Sequence, residues 1–237
     1  MSRQALLLLP GLMCDRTLWE AQIEALSPVA DCIVPGYGDL DSLTAMAEAV
    51  LRTAPPRFAV AAHSMGGRVA LEIVRAAGPR ITHLALMDTG WRARPAGEAA
   101  EAEARQRLVE MAYASGMRAM GREWVRGMLH PDHLRDAVLV ESILAMIERM
   151  TPQTHEAQIR ALLERPEAGD VLTTIACPTL VLCGRQDAWS PLARHEELAA
   201  LIRGSRLEVI EHSGHMTPME QPAAVSASLL RWLHSVS

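Results

Sequence analysis

Short apolar runs alternate with longer amphipathic stretches along most of the chain. The runs that have the length of buried strands lie at residues 5–9, 32–34, 58–62, 84–87, 179–183 and 207–210. Between them, apolar residues recur at helical spacing, as at Leu43, Met46 and Val50. Because parallel crossovers place helices on both faces of a sheet, this alternation predicts a three-layer α/β fold with a mostly parallel sheet of about six strands.

The alternation stops once, between residues 91 and 166, where no strand-like run occurs and the pattern is that of several helices. The prolines that separate these helices are Pro95, Pro131, Pro152 and Pro166. The insertion leaves the sheet after one strand and must return to the same edge, so we predict that it forms a helical cap there. Residues 1–90 and 167–237 would then form the core.

Composition narrows the class of protein. Of the 237 residues, 49% are hydrophobic and 22% charged, and the net charge is −5, as expected for a globular protein that does not bind nucleic acid. The cysteines show neither metal-site spacing nor the density of a secreted disulfide framework, which favours reduced thiols in the cytoplasm. They are Cys14, Cys32, Cys177 and Cys183. The apolar start at residues 5–9 is too short for a membrane span and lacks a signal-peptide pattern.

The segment AHSMGG places Ser64 at the turn from a predicted strand into a predicted helix. Where a nucleophilic serine occupies such a strained turn, its neighbours two residues away must be small, because strand and helix pass close together. Ala62, Gly66 and Gly67 meet that requirement. An ordinary helix N-cap is the alternative interpretation of Ser64.

Two candidate partners for Ser64 follow later strands. A serine hydroxyl needs a base to take its proton, and that base needs a carboxylate to orient it. Asp187 follows the fifth predicted strand and His215 the sixth, so both lie at the edge of the sheet where Ser64 is expected. Asp88, after the fourth strand, is a second candidate acid, although it could also make local hydrogen bonds.

The other histidines near these segments have simpler interpretations. His212 and His215 form an H-x-x-H pattern, but neither a third ligand nor a glutamate-rich helix accompanies it, so we predict no metal. His63 is expected to support the turn at Ser64 and not to accept its proton. Cys14 is expected to be buried as a small apolar residue.

The chain resembles the α/β-hydrolase family in five segments that occur in the family's order. They are LLPGLMCDRTLW, with Pro10 in place of the usual histidine, VPGYGDLDS, AHSMGG, GRQDAWSP and SGHMTPMEQP. The resemblance implies an α/β-hydrolase fold and a serine hydrolase that needs no cofactor. It implies Ser64 as nucleophile, His215 as general base and acid, and Asp187 as the orienting carboxylate. The backbone N–H groups of Leu12 and Met65 would form the oxyanion hole.

The expected substrate is a small, partly apolar ester, thioester or lactone, bound without nucleic acid or membrane partners. Residues expected to line its pocket are Trp91, Met120, Trp124 and Trp189. Hydrolysis of a carbon–carbon bond in a diketone-like ring-cleavage product, acyl transfer, perhydrolysis and ligand binding without turnover remain alternatives. A serine at position 64 argues against epoxide hydrolases and haloalkane dehalogenases, which use aspartate. Neither the substrate nor the oligomeric state follows from the sequence.

Overall fold

The computed structural model describes residues 3–95 and 99–235, and its centre is one parallel sheet. Its strands are β1 (Gln4–Leu9), β2 (Ala30–Ile33), β3 (Phe58–His63), β4 (Ile81–Met87), β5 (Thr179–Gly184) and β6 (Arg206–Ile210). They lie in the order β2-β1-β3-β4-β5-β6, and each neighbouring pair is parallel. The strand order reverses between β1 and β3, the position at which open parallel sheets form a crevice beyond their carboxyl ends.

The predicted parallel sheet is confirmed, and burial explains why it was visible in the sequence. Every residue of β3 and of β5 is buried, so helices and loops cover both faces of the sheet. The leucines at the end of β1 are at most 1% exposed. Burying such a side chain contributes about 1.5–3 kcal/mol, so this run is a main source of stability for the core.

Helices cover the sheet and fill the connection between β4 and β5. They are α1 (Glu20–Leu26), α2 (Leu43–Thr53), α3 (Met65–Ala77), α4 (Ala99–Ser115), α5 (Met117–Val125), α6 (Ala137–Glu148), α7 (Pro152–Leu163), α8 (Gly169–Leu172), α9 (Leu192–Leu201), α10 (Thr217–Glu220) and α11 (Pro222–Leu233). Side-chain caps mark several starts: Asp136, for example, accepts the N–H groups of Val138 and Leu139 at 3.0 Å before α6. None of the helices in the described ranges combines the length and apolar character needed to cross a bilayer.

All the regular secondary structure that is described between β4 and β5 is helical. α5 packs against both α4 and α6. Gly121 permits the close contact with α6, because a Cβ there would lie 3.2 Å from a methyl group of Leu144. Residues 96–98, which belong to the predicted cap, lie outside the described residues. The division into a core and a cap at residues 91 and 166 remains a prediction.

Candidate active site

Ser64 occupies a strained turn between β3 and α3. Its φ of 52° and ψ of −116° are unusual for a residue with a side chain. The backbone holds this conformation from both sides: its N–H donates to the carbonyl of Met87 at 2.8 Å, and its carbonyl accepts the N–H of Gly67 at 2.9 Å. Ser64 stands at the N-cap position of α3, but its side chain makes no capping hydrogen bond to the helix, so it is not an ordinary N-cap.

Small residues around Ser64 let α3 approach the sheet. A Cβ on Gly66 would lie 2.3 Å from the carbonyl oxygen of Leu9, well inside van der Waals contact. Ala62, at the other small position, is fully buried and pairs in register with Leu9 of the neighbouring strand. The sheet therefore accommodates the alanine methyl group, while the helix side has no room for one at Gly66.

The structure brings Ser64, His215 and Asp187 into one hydrogen-bonded chain. The Ser64 Oγ lies 2.8 Å from Nε2 of His215, and Nδ1 of the same ring lies 2.8 Å from Oδ2 of Asp187. The loop that carries His215 is tied to the helical insertion, because the His215 N–H donates to the carbonyl of Met128 at 2.6 Å. With Nδ1 protonated and hydrogen-bonded to the carboxylate, Nε2 is the free acceptor for the serine proton.

Asp187 is held as a carboxylate although it is buried. Its Oδ1 accepts the backbone N–H groups of Trp189 and Ser190, both at 2.9 Å. Burial by itself would raise the pKa of Asp187, but interaction with His215 and the N–H of Ser190 outweighs it, and the net effect lowers the pKa. A charged acid beside Nδ1 can stabilise the imidazolium that forms when His215 accepts a proton.

Asp88, the alternative acid, lies in a different environment. It is fully buried, its Oδ1 accepts the N–H of Gly184 at 2.9 Å, and its Oδ2 accepts the hydroxyl of Thr217. Burial, followed by the charge of Asp187, raises the pKa of Asp88 well above its ordinary value. Asp88 therefore ties the ends of β4 and β5 to the loop after His215.

His63 supports the loop that carries His215. Its Nε2 lies 2.7 Å from the carbonyl oxygen of His215 and donates to it. Burial lowers the pKa of His63 to about 3, so the ring is neutral near pH 7. The ring of His212, the other half of the H-x-x-H pattern, lies against His130 with centroids 5.9 Å apart.

The loop after β1 borders the same cavity as Ser64. Met13 has a positive φ of 57°, and its N–H is taken by Oε1 of Gln158 on α7 at 2.8 Å. Within residues 3–95 and 99–235, neither the N–H of Leu12 nor that of Met65 has an acceptor. Both residues border the same cavity as Ser64, and Met65 begins α3, where the helix dipole favours negative charge.

Cys14, in the same loop, is buried, and its thiol donates weakly to the carbonyl of Leu12 at 3.4 Å. Burial raises the pKa of this thiol, which suppresses the reactive thiolate. The expectation that Cys14 is a small buried residue agrees with this environment.

A cavity of about 880 Å³ opens over Ser64 and His215. The predicted pocket residues that border it are Trp91, Trp124 and Trp189. The assignment of Met120 to the pocket is wrong, because this residue is fully buried in the hydrophobic core. Met128, one turn beyond Trp124, borders the cavity instead. Helical spacing identifies the apolar face of α5, but it does not tell which part of that face meets the cavity.

Charged side chains also border the cavity, and the sequence analysis selected none of them. They are Arg68, Arg92, Arg105, Arg165, Arg194, Glu101 and Glu197. Arg92 and Glu197 form an exposed ion pair at 2.9 Å. Arg68 could have been found from its spacing, because a residue four positions after Ser64 lies one helical turn from it on the same side of α3.

Glu220 on α10 was also missed, and it organises the loop that carries His215. Its Oε1 accepts the N–H groups of Gly214 at 2.9 Å and Met216 at 3.1 Å. Its Oε2 accepts the N–H of His130 at 2.7 Å, which joins the loop to the segment between α5 and α6 of the helical insertion. The hydrogen bond from His130, which is 90 positions away, leaves no pattern in the sequence.

Comparison with known proteins places this geometry among hydrolases. The model of a family described as the alpha/beta hydrolase family matches residues 6–228. One similar solved structure is that of a thermophilic esterase from Thermogutta terrifontis with malate bound. The two sequences are 30% identical, the match covers 98% of this chain and 90% of the esterase chain, and the TM-score is 0.85.

Two further relatives are more distant. A pimeloyl-[acyl-carrier protein] methyl ester esterase from Neisseria meningitidis is 27% identical over 89% of this chain and 84% of its own. The enol-lactonase from Burkholderia xenovorans shares the fold, with a TM-score of 0.85, 19% identity and coverage of 99% of this chain and 93% of its own.

Proposed function

The chain belongs to the alpha/beta hydrolase family, and we propose that it is a serine hydrolase that cleaves a small ester, thioester or lactone through an acyl-enzyme intermediate. The single observation that carries this proposal is the hydrogen-bonded chain from Ser64 through His215 to Asp187, with both links at 2.8 Å. A hydroxyl, an imidazole and a carboxylate in this order can generate a nucleophile at neutral pH.

In the first half of the reaction, Nε2 of His215 takes the hydroxyl proton while Oγ of Ser64 bonds to the substrate carbonyl carbon. The carbonyl electron pair moves to the oxygen, and the N–H groups of Leu12 and Met65 stabilise the resulting oxyanion. His215 then gives its proton to the leaving oxygen or sulfur as that bond breaks. Asp187 stabilises the imidazolium throughout.

In the second half, water replaces the leaving group. His215 takes a proton from the water, the hydroxide oxygen bonds to the acyl carbon, and the oxyanion forms again. When the bond to Oγ breaks, the proton on His215 returns to Ser64 and the carboxylic acid leaves. Neutral His63 supports this cycle, because it holds the His215 carbonyl without adding a charge beside the imidazolium.

The surroundings of the site support a small organic substrate. The cavity is large enough for a ligand of metabolite size, and its three tryptophans provide apolar contact. The relatives named as a methyl ester esterase and an enol-lactonase favour esters and lactones as the class. A cytoplasmic location and the lack of nucleic-acid and membrane partners remain predictions from composition.

A fluorophosphonate probe tests the proposal directly. We expect covalent labelling of the wild-type protein, loss of labelling in Ser64→Ala, and unchanged labelling in Ser42→Ala, which removes a hydroxyl from the start of α2. A folded wild-type protein that resists the probe would contradict the proposal. A panel of esters, thioesters, lactones and ring-cleavage diketones then identifies the bond that is cleaved.

A further inference from the structure

Arg68 is a buried cation without a carboxylate partner. It lies on the first turn of α3, is 6% exposed and borders the cavity that contains Ser64. One hydrogen bond holds it, from Nη2 to the carbonyl oxygen of Pro166 at 2.7 Å. Among the residues that the structure describes, no aspartate or glutamate lies within ion-pair distance of its guanidinium group. Most of its N–H donors are therefore available to a molecule in the cavity.

Three carboxylates, those of Glu167, Glu72 and Glu101, act on Arg68 electrostatically, but none of them forms an ion pair with it. Arg165 donates to both carboxylate oxygens of Glu101 at 2.8 Å, and Arg105 donates to the same carboxylate at 2.9 Å. The Glu101 carboxylate is therefore already hydrogen-bonded to two other guanidinium groups. Burial, followed by the charge of Arg165, lowers the pKa of Arg68 to about 10, so Arg68 remains a cation near pH 7.

This concentration of positive charge is local. The whole chain carries a net charge of −5, whereas the residues that border the cavity include five arginines and three acids, which are Glu101, Glu197 and the buried Asp88. A cleft with an excess of one sign of charge attracts ligands of the opposite sign. A buried, unpaired guanidinium is costly, and a carboxylate that accepts two parallel N–H bonds is the partner that fits its planar shape.

We propose that Arg68 binds a carboxylate on the substrate, so that the enzyme prefers esters or lactones that carry a free acid besides the bond to be cleaved. Arg68 is one helical turn, about 6 Å along the axis, from Ser64. A single small molecule can therefore reach both residues. This inference rests on the proposed function and specifies the substrate class of the same site.

The test compares monomethyl esters of succinic, glutaric, adipic and pimelic acids with neutral methyl esters of equal chain length. We expect the wild-type enzyme to favour the acid at one or more lengths by about tenfold to a hundredfold in kcat/KM, the range typical of a hydrogen bond to a charged group. In Arg68→Met that preference should disappear through a higher KM for the acid, while kcat/KM for the neutral ester changes by less than about threefold. Arg68→Lys should restore part of it.

Arg75→Met is the matched control. It removes an arginine from the same helix, but Arg75 ion-pairs with Asp170 on the surface and does not border the cavity. We expect the control to keep the preference for the acid. Equal losses for acidic and neutral esters in Arg68→Met, or a wild-type enzyme without a preference at any length, would overturn the inference.

Calorimetric titration with valerate and with valeramide, its neutral amide, gives a readout that does not need turnover. The wild-type protein should bind valerate more tightly than valeramide, the difference should decrease as salt is added, and Arg68→Met should lose it. Equal affinities would overturn the inference. If the fluorophosphonate labels Ser64 but no acid is preferred, only this inference fails. If Ser64 is not labelled, the proposed function fails, and the titration still decides whether Arg68 binds a carboxylate.

Discussion

The two buried aspartates at the ends of β4 and β5 should respond very differently to replacement by asparagine. In Asp187→Asn, the amide oxygen should keep the place of Oδ1, which accepts the N–H groups of Trp189 and Ser190. The NH₂ group then faces Nδ1 of His215 in place of Oδ2. Two donors cannot share a hydrogen bond, so the ring proton moves to Nε2 and His215 can no longer accept a proton from Ser64.

The size of the loss follows from that tautomer change and from the lost stabilisation of the imidazolium. We expect kcat/KM of Asp187→Asn to fall by roughly a thousandfold to ten-thousandfold, the range known for the equivalent substitution in a serine protease triad. The fold should survive, because asparagine has nearly the same shape and keeps the backbone hydrogen bonds to Oδ1.

Asp88→Asn should have almost no effect on activity. Burial, followed by the charge of Asp187, raises the pKa of Asp88 and so favours its neutral form, which asparagine resembles in both shape and hydrogen bonding. Its amide oxygen can accept the N–H of Gly184, and its NH₂ group can donate to the Thr217 hydroxyl. We expect kcat/KM within about threefold of wild type and a free energy of unfolding changed by less than about 1 kcal/mol.

Both variants can be assayed side by side with a chromogenic ester at pH 8, after thermal unfolding has shown that each is folded. The wild-type protein and Ser64→Ala provide the upper and lower limits of activity. A loss in Asp88→Asn as large as the loss in Asp187→Asn would refute the assignment of Asp187 as the orienting carboxylate. Near-normal turnover by Asp187→Asn would refute it equally.

Two further predictions concern packing and pH. Gly66→Ala should lower the free energy of unfolding by about 1–3 kcal/mol in urea titrations, because its Cβ would meet the Leu9 carbonyl. The control Gly36→Ala, which has open space around its Cβ, should not lower it. Equal effects of the two substitutions would contradict the packing argument. Burial, followed by the charge of Arg105, lowers the pKa of His155 to about 4, so the unfolded chain binds a proton that the native protein does not between pH 6.5 and 4. The free energy of unfolding should therefore fall as the pH decreases through this window. His155→Phe should reduce the slope of the free energy of unfolding against pH by up to about 1.4 kcal/mol per pH unit in urea titrations. An unchanged slope would contradict the assignment of this pH dependence to His155.

The sheet and the Ser64 turn could be predicted because local patterns encode them. Buried parallel strands are nearly continuous apolar runs, and β1, β3 and β5 were found within one residue of their observed limits. β4 begins three residues earlier than predicted, since Thr82 and His83 interrupt its apolar run. Small residues are needed after Ser64 because α3 lies in close contact with the end of β1. This requirement can be recognised from the residue types next to Ser64.

Contacts between distant segments could not be predicted in the same way. The sequence favoured Asp187 over Asp88, but the opposite directions of their pKa shifts depend on burial and on the groups that surround each carboxylate. Gln158 is separated by 145 positions from the Met13 N–H that it accepts. Met120 was assigned to the pocket because it shares a helical stripe with Trp124, although the two side chains lie in different surroundings. Such placements depend on the packing of helices against the sheet.

The central claim is that Ser64 forms a covalent bond to the acyl group during turnover. Rapid acid quenching of the wild-type protein with an activated ester, followed by mass spectrometry of the intact chain and its peptides, tests that claim most directly. We predict a mass increase equal to one acyl group, located on Ser64 and missing from Ser64→Ala. Product formation without an acylated protein at any quench time, or an acyl group on another residue, would contradict the account.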